Sequence, residues 1–177
     1  MSNNQKLAGV GHIDPKTKFE FEEVKKKRDS NISWIGDIWL KRLIEPYVKR
    51  ANIKAGWNFD LTMSEDFQFT IYNQGQYYGW HTDTDGKLYH NNEWDNLMRK
   101  LSVTISLSDP EDYEGGVLEF DLRNTGEINT SEIIKCKEIL PKGSIVIFPS
   151  YIWHRVSPVT KGTRLSLVQW NLGPGFK

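Results

Sequence analysis

Between residues 66 and 172 the chain alternates apolar and polar residues with a period of two, again and again, and this pattern restricts its fold more than any other feature. DFQFTIYN sets Phe67, Phe69 and Ile71 against polar neighbours, and KLSVTISLS does the same with Leu101, Val103, Ile105 and Leu107. GGVLEFDL, EIIKCKEIL, GSIVIFPS and TRLSLVQWNL follow, separated by Gly, Pro, Asp and Asn. Successive side chains on a strand point to opposite faces, so each run predicts a short strand. Many short strands divided by turn residues predict an antiparallel sandwich or barrel.

The part before residue 57 reads differently. Ile35, Ile38, Trp39, Leu43 and Tyr47 recur at spacings of three or four, which predicts a helix over 34–51 with these residues as its apolar face. Pro46 predicts a kink or a break within it, and Gly56 predicts the stop. Phe19 and Phe21, on alternate positions, predict a short edge strand, and the basic run Lys25–Arg28 predicts an exposed loop. The expected fold class is mainly β with a helical N-terminal cap (α+β). Residues 1–56 form the N-terminal segment and cap, and 57–177 the β core of a single domain.

The 177 residues suffice for one domain with a substantial core. Basic and acidic side chains number 23 each, so charge alone calls for neither nucleic acid nor an acidic membrane as partner. The single cysteine, Cys136, excludes an internal disulfide and is expected as a buried, inert thiol. With no signal peptide and no apolar run long enough to span a bilayer, the expected location is a reducing cytoplasm.

Two of the four histidines stand in chemically suggestive company. GWHTDTDG places His81 and Asp83 two residues apart, the spacing that puts both on one face of a strand. FPSYIWHRVSPV places His154 close after another strand, which a sandwich can bring beside that pair. Two imidazoles and one carboxylate on one side of an ion form the facial triad of non-haem Fe(II) oxygenases, which leaves three coordination positions open. A closed site of four protein ligands would not. Arg164, ten residues after His154 on the next strand, has apolar neighbours Leu165, Leu167 and Val168, so its guanidinium is expected to be buried and to want an anion. The distal carboxylate of a dicarboxylic cosubstrate would serve, with Ser166 on the same face as a second donor. Asp85 is a weaker ligand candidate than Asp83, and His90 is expected in an exposed loop. The turn-rich segment from Thr84 to Asp95 is expected to border the site as a loop or lid.

These residues resemble the 2-oxoglutarate/Fe(II) dioxygenase superfamily, built on the double-stranded β-helix or cupin-like jelly roll. The stretches that carry the resemblance are YNQGQYYGWHTD, MRKLSVTISLSDPEDYEGGVLEF and LPKGSIVIFPSYIWHRVSPVTKGTRLSLVQW. The nearer likeness is to the prolyl 4-hydroxylase-like branch, especially the bacterial PKHD-type hydroxylases. Collagen-type enzymes usually carry lysine where this chain has Arg164, and a threonine-containing strand where Val117–Phe120 stand, so both departures favour the PKHD-like side. The resemblance implies that His81, Asp83 and His154 are iron ligands and that Arg164 holds the 5-carboxylate of 2-oxoglutarate. It implies further that Tyr72 hydrogen-bonds the cosubstrate, that Trp170 walls the pocket and that Tyr78 lines the mouth near the substrate.

The cofactors implied are Fe(II), 2-oxoglutarate and dioxygen, with ascorbate as reductant. The implied activity is hydroxylation of a C–H bond, on a peptide or protein proline or on a small molecule, in a bacterial cell or a phage-infected host. Two other readings stand beside it. One is a non-catalytic cupin-like protein that binds a metal or ligand on the same jelly roll. The other is a metal-dependent hydrolase with Asp83 or Asp85 as base.

Overall fold

Pairing of the period-two segments generates two antiparallel sheets. The computed structural model describes residues 6–7, 18–91, 93–122 and 132–176. In chain order the elements are β1 (Lys6–Leu7), α1 (Lys18–Lys27), β2 (Arg28–Asp29), β3 (Asn31–Ile35), α2 (Ile38–Lys54), β4 (Met63–Ser64), β5 (Phe67–Asn73) and β6 (Tyr77–His81). There follow β7 (Leu97–Ser106), β8 (Tyr113–Gly115), β9 (Leu118–Asp121), β10 (Ile133–Lys135), β11 (Ile145–Pro149), β12 (Trp153–Val156) and β13 (Val159–Pro174). The larger sheet runs β1-β3-β5-β13-β7-β11, with β4 and β8 also paired to β13, and the smaller runs β10-β9-β12-β6-β2. This is the expected mainly β jelly roll, with two helices among the described residues.

The larger sheet has an unusual division of faces. Leu101, Val103 and Ile105 of β7, Phe67 of β5 and Leu167 of β13 form one core with Leu40, Ile44 and Val48 of α2. That apolar face is therefore the outer one, covered by the helix. The alternate residues, among them Gln68, Thr70, Ser102, Thr104, Arg164 and Ser166, are also buried, although polar. They face inward, toward the smaller sheet. Burial of such groups requires hydrogen-bond partners or a ligand.

Several sequence expectations are overturned. Residues 18–27 form α1 rather than an edge strand, because KFEFEEVKKK is dominated by the helix formers Glu and Lys, and its terminal lysines favour the negative end of the helix dipole. The basic run is not an exposed loop. Lys25–Lys27 close α1, while Arg28 begins β2 and is buried. The second helix begins at Ile38 rather than 34, because residues 31–35 are claimed by pairing with β5.

Its buried face is also not the expected one. Leu40, Ile44, Val48 and Asn52 pack inward, whereas Ile38, Trp39, Leu43 and Tyr47 are exposed. Both stripes satisfy helical spacing, and only the aliphatic one fits the flat apolar face of the sheet. The helix runs unbroken through Pro46, which lies on its exposed side, where water can serve the carbonyl that the proline cannot. Gly56 follows the helix with φ +71, the left-handed conformation expected of a stop.

Neighbouring residues of α2 thus differ sharply. Ile44 is 4% exposed and Leu43 53%. Ile44→Ala is expected to cost about 2–5 kcal/mol of stability, and Leu43→Ala within about 0.5 kcal/mol, in chemical denaturation.

Candidate active site

His81 ends β6, and His154 stands directly opposite it on β12. Their ring centroids are 4.1 Å apart. Each imidazole is oriented by its own backbone: His81 Nδ1 lies 2.8 Å from the Gly79 carbonyl and His154 Nδ1 2.9 Å from the Ile152 carbonyl. A carbonyl only accepts, so each Nδ1 carries the hydrogen, which in the neutral form of an imidazole leaves the Nε2 lone pair for a metal.

Those Nε2 atoms converge on one carboxylate. His81 Nε2 is 3.6 Å from Asp83 Oδ1, and His154 Nε2 is 3.4 Å from Asp83 Oδ2. The three donor atoms lie within 4.8 Å of one another. Donors at right angles about 2.1 Å from an ion stand about 3 Å apart, so a slight contraction would surround a metal. Asp83 does not continue the strand as the i, i+2 argument supposed, because β6 stops at His81. Its N–H instead donates to the Ser150 carbonyl at 2.9 Å, which turns the carboxylate toward the two rings. Ser102 Oγ donates to Asp83 Oδ2 at 2.7 Å and lies 2.9 Å from Ser150 Oγ.

The electrostatics suit a cation. Burial opposes the charge of Asp83, but the imidazoles of His154 and His81 and the nearby Arg99 outweigh it and hold the carboxyl well below its usual range. Burial pushes His154 down to about 4 against the pull of Asp83, so its ring is neutral near pH 7. Arg99 itself is held by a two-pronged ion pair with Glu65, at 2.6 and 2.7 Å, and lies 3.8 Å over the Trp170 ring.

The cavity beside the triad is lined by Arg28, Gln68, Tyr72, Tyr78, Arg164 and Trp170, among others. Arg164, on β13, is paired across the ladder with Tyr72 on β5 and is 3% exposed. Its Nη1 donates to Ser166 Oγ at 3.2 Å, and no carboxylate within ion-pair distance is found among the described residues. The Gly115–Gly116 turn makes room for it: Gly116 has φ +57, and a Cβ there would stand 2.9 Å from Arg164 Cδ. Among the described residues, Trp170 Nε1 is buried without a hydrogen-bond partner. A buried cation and an orphaned donor in one cavity fit an organic anion. Tyr78 stacks on His81, centroids 3.5 Å apart, and burial raises its phenol to about 12.

Asp85 is exposed and pairs with Lys87, away from the triad, and His90 is exposed. Cys136 is buried, and burial raises its thiol. Sequence reasoning missed Arg28, Gln68, Arg99, Glu65, Ser102 and Ser150. A signal was present for Ser102: the polar positions of KLSVTISLS after Lys100 are all small hydroxyls, as an enclosed polar face requires. Ser102→Ala is expected to weaken metal affinity about 10- to 100-fold, measured by titration with Fe(II) or Co(II), while the protein stays folded.

The sequence profile described as the 2OG-Fe(II) oxygenase superfamily matches residues 67–171. A PKHD-type hydroxylase of Aliarcobacter butzleri is 31% identical over 170 residues, covering 95% of this chain and 59% of the relative, so the chain spans about six-tenths of that protein's length. The fold matches a prolyl hydroxylase from Trichoplax adhaerens, solved with a hypoxia inducible factor oxygen degradation domain peptide fragment, with TM-score 0.64 and 19% identity over 93% of this chain and 70% of that one. It also matches a Pseudomonas putida prolyl-4-hydroxylase, with TM-score 0.58 and 24% identity over 85% of this chain and 76% of that one. With the profile covering more than half its length and ending on the strand that carries Arg164, this chain belongs to the 2OG-Fe(II) oxygenase superfamily.

Proposed function

We propose that the chain is an Fe(II)- and 2-oxoglutarate-dependent hydroxylase that acts on a C–H bond of a prolyl residue in a peptide or protein. The observation that carries this reading is the convergence of two tautomer-fixed imidazoles on the Asp83 carboxylate, beside a buried Arg164 with no carboxylate partner among the described residues. His81 and His154 would hold the metal through Nε2 and Asp83 through its carboxylate, with Ser102 and the Asp83 N–H fixing the carboxylate plane. Arg164, Ser166 and Tyr72 would clamp the distal carboxylate of 2-oxoglutarate, and Trp170 Nε1 would donate to the same ligand. Tyr78, on the face of His81, would line the approach of the substrate. When bound, iron, 2-oxoglutarate and dioxygen supply oxidative decarboxylation to succinate and carbon dioxide, coupled to hydroxylation of the C–H bond. The enclosing sheets limit water and hold the reactants in register. A prolyl target is favoured by the names of the similar proteins, and a peptide by the ligand of the Trichoplax enzyme.

The test is direct. Anaerobic addition of 2-oxoglutarate to the Fe(II)-loaded protein is expected to produce a weak visible charge-transfer band, and admission of air is expected to yield succinate. A protein that binds both and forms no succinate is a binding module on the same scaffold. One that is active with Zn(II) and indifferent to 2-oxoglutarate is a hydrolase. Either result ends the proposal.

A further inference from the structure

Arg28 opens β2, at the edge of the smaller sheet, opposite Tyr78 of β6. It is 5% exposed and lines the same cavity as the triad and Arg164. Its Nε–H donates to Ser30 Oγ at 2.9 Å and its Nη2 to Gln68 Oε1 at 2.6 Å, and both partners are themselves buried. The guanidinium carbon lies 4.5 Å from the centre of the Tyr78 ring. His81 occupies one face of that ring, stacked at 3.5 Å, so Arg28 covers the other. Among the described residues, Nη1 has no hydrogen-bond partner and no carboxylate lies within ion-pair distance of the side chain. Arg99 and Arg155 contrast with it, for they are paired with Glu65 and Glu119.

A guanidinium taken out of water and given only neutral partners leaves a charge that is costly to bury. Arg164 has the same want, but the cosubstrate answers it. 2-Oxoglutarate has two carboxylates, one for the metal and one for Arg164, so a second unpaired arginine in this cavity calls for a further anion. Serine and glutamine hold the Arg28 fork fixed and leave an Nη edge suited to two parallel hydrogen bonds with a carboxylate.

We propose that Arg28 anchors a carboxylate of the substrate, so that the enzyme selects a carboxylate-bearing substrate and seats it against Tyr78. This rests on the hydroxylase reading alone and not on its peptide target, and it makes Arg28 a specificity-determining residue distinct from the cosubstrate clamp. The carboxylate belongs either to a free amino acid or to an acidic side chain next to the target residue in a peptide.

Calorimetric titration under argon, with Fe(II)-loaded protein saturated with 2-oxoglutarate, separates these sources without turnover. The probes are L-proline against L-prolinamide, and an end-blocked peptide with Glu beside proline against the same peptide with Gln. In at least one pair the acid is expected to bind about 10- to 100-fold more tightly than the amide. Arg28→Met should erase that difference, Arg28→Lys should keep part of it, and the affinity of Arg28→Met for 2-oxoglutarate should remain that of the wild type. Equal binding within both pairs overturns the proposal. So does undiminished discrimination by Arg28→Met, or a loss of 2-oxoglutarate affinity, which would assign Arg28 to the cosubstrate. If Arg28→Met fails to fold by circular dichroism, the acid–amide comparison on wild type and Arg28→Lys still decides. Failure of the hydroxylase reading shows separately, as absence of succinate from the aerobic wild-type protein with every probe.

Discussion

His154→Ala is expected to abolish succinate formation and to reduce bound iron to a small fraction of one per chain. Groups that merely orient a ligand are worth about 10- to 100-fold in metal affinity, and loss of a ligand atom itself exceeds that. The position leaves little for substitution to exploit. His154 sits in register with His81, its Nδ1 is committed to the Ile152 carbonyl, and it is buried against Phe148. Among the described residues no imidazole outside the triad is near enough to replace it, since His90 is exposed in the loop beyond Asp83. Metal analysis after gel filtration, together with succinate assay and circular dichroism, checks the expectation. Near-stoichiometric iron and undiminished succinate in a folded His154→Ala protein would remove the triad from the mechanism.

The second large effect is expected at Arg164. Arg164→Met retains much of the apolar stem and removes the charge, which should weaken 2-oxoglutarate binding by about 2–5 kcal/mol, roughly 30-fold to several thousandfold. Arg164→Lys should fall between, because a lysine keeps the charge and loses the planar fork. The iron content of both variants should match wild type, since Arg164 is not among the three grouped donor residues. Titration of the visible band with 2-oxoglutarate measures the shift. An Arg164→Met protein with wild-type affinity would mean that the distal carboxylate is held elsewhere.

The strands were readable because their alternation is local: Phe67, Phe69 and Ile71 announce β5 without reference to any other part of the chain. The triad was readable because His81 and Asp83 are two residues apart and His154 lies close to the Phe148–Pro149 strand end. Misreadings arose wherever the deciding contact is distant. Arg28 looked like the end of a basic loop, since its strand is two residues long and exists only by pairing with Tyr77 and Tyr78. The face of α2 was misassigned because periodicity offers two stripes and only the sheet chooses between them. Asp83 owes its aim to a bond with Ser150, 67 positions away, that no spacing rule contains. Alternation alone does not tell that the polar members of β7 are enclosed, because a half-exposed strand and a strand facing an enclosed polar cavity carry the same period.

The division of the larger sheet into an apolar outer face and a polar inner one also bears on how such a protein can change over time. Stabilising contacts and reactive chemistry ordinarily compete for the same interior, so a gain in one tends to erode the other. In this sheet the residues that hold α2 and the residues that line the inner cavity alternate along the same strands without sharing a surface. New specificities can therefore arise by exchange of inward side chains while the scaffold beneath the helix keeps its integrity.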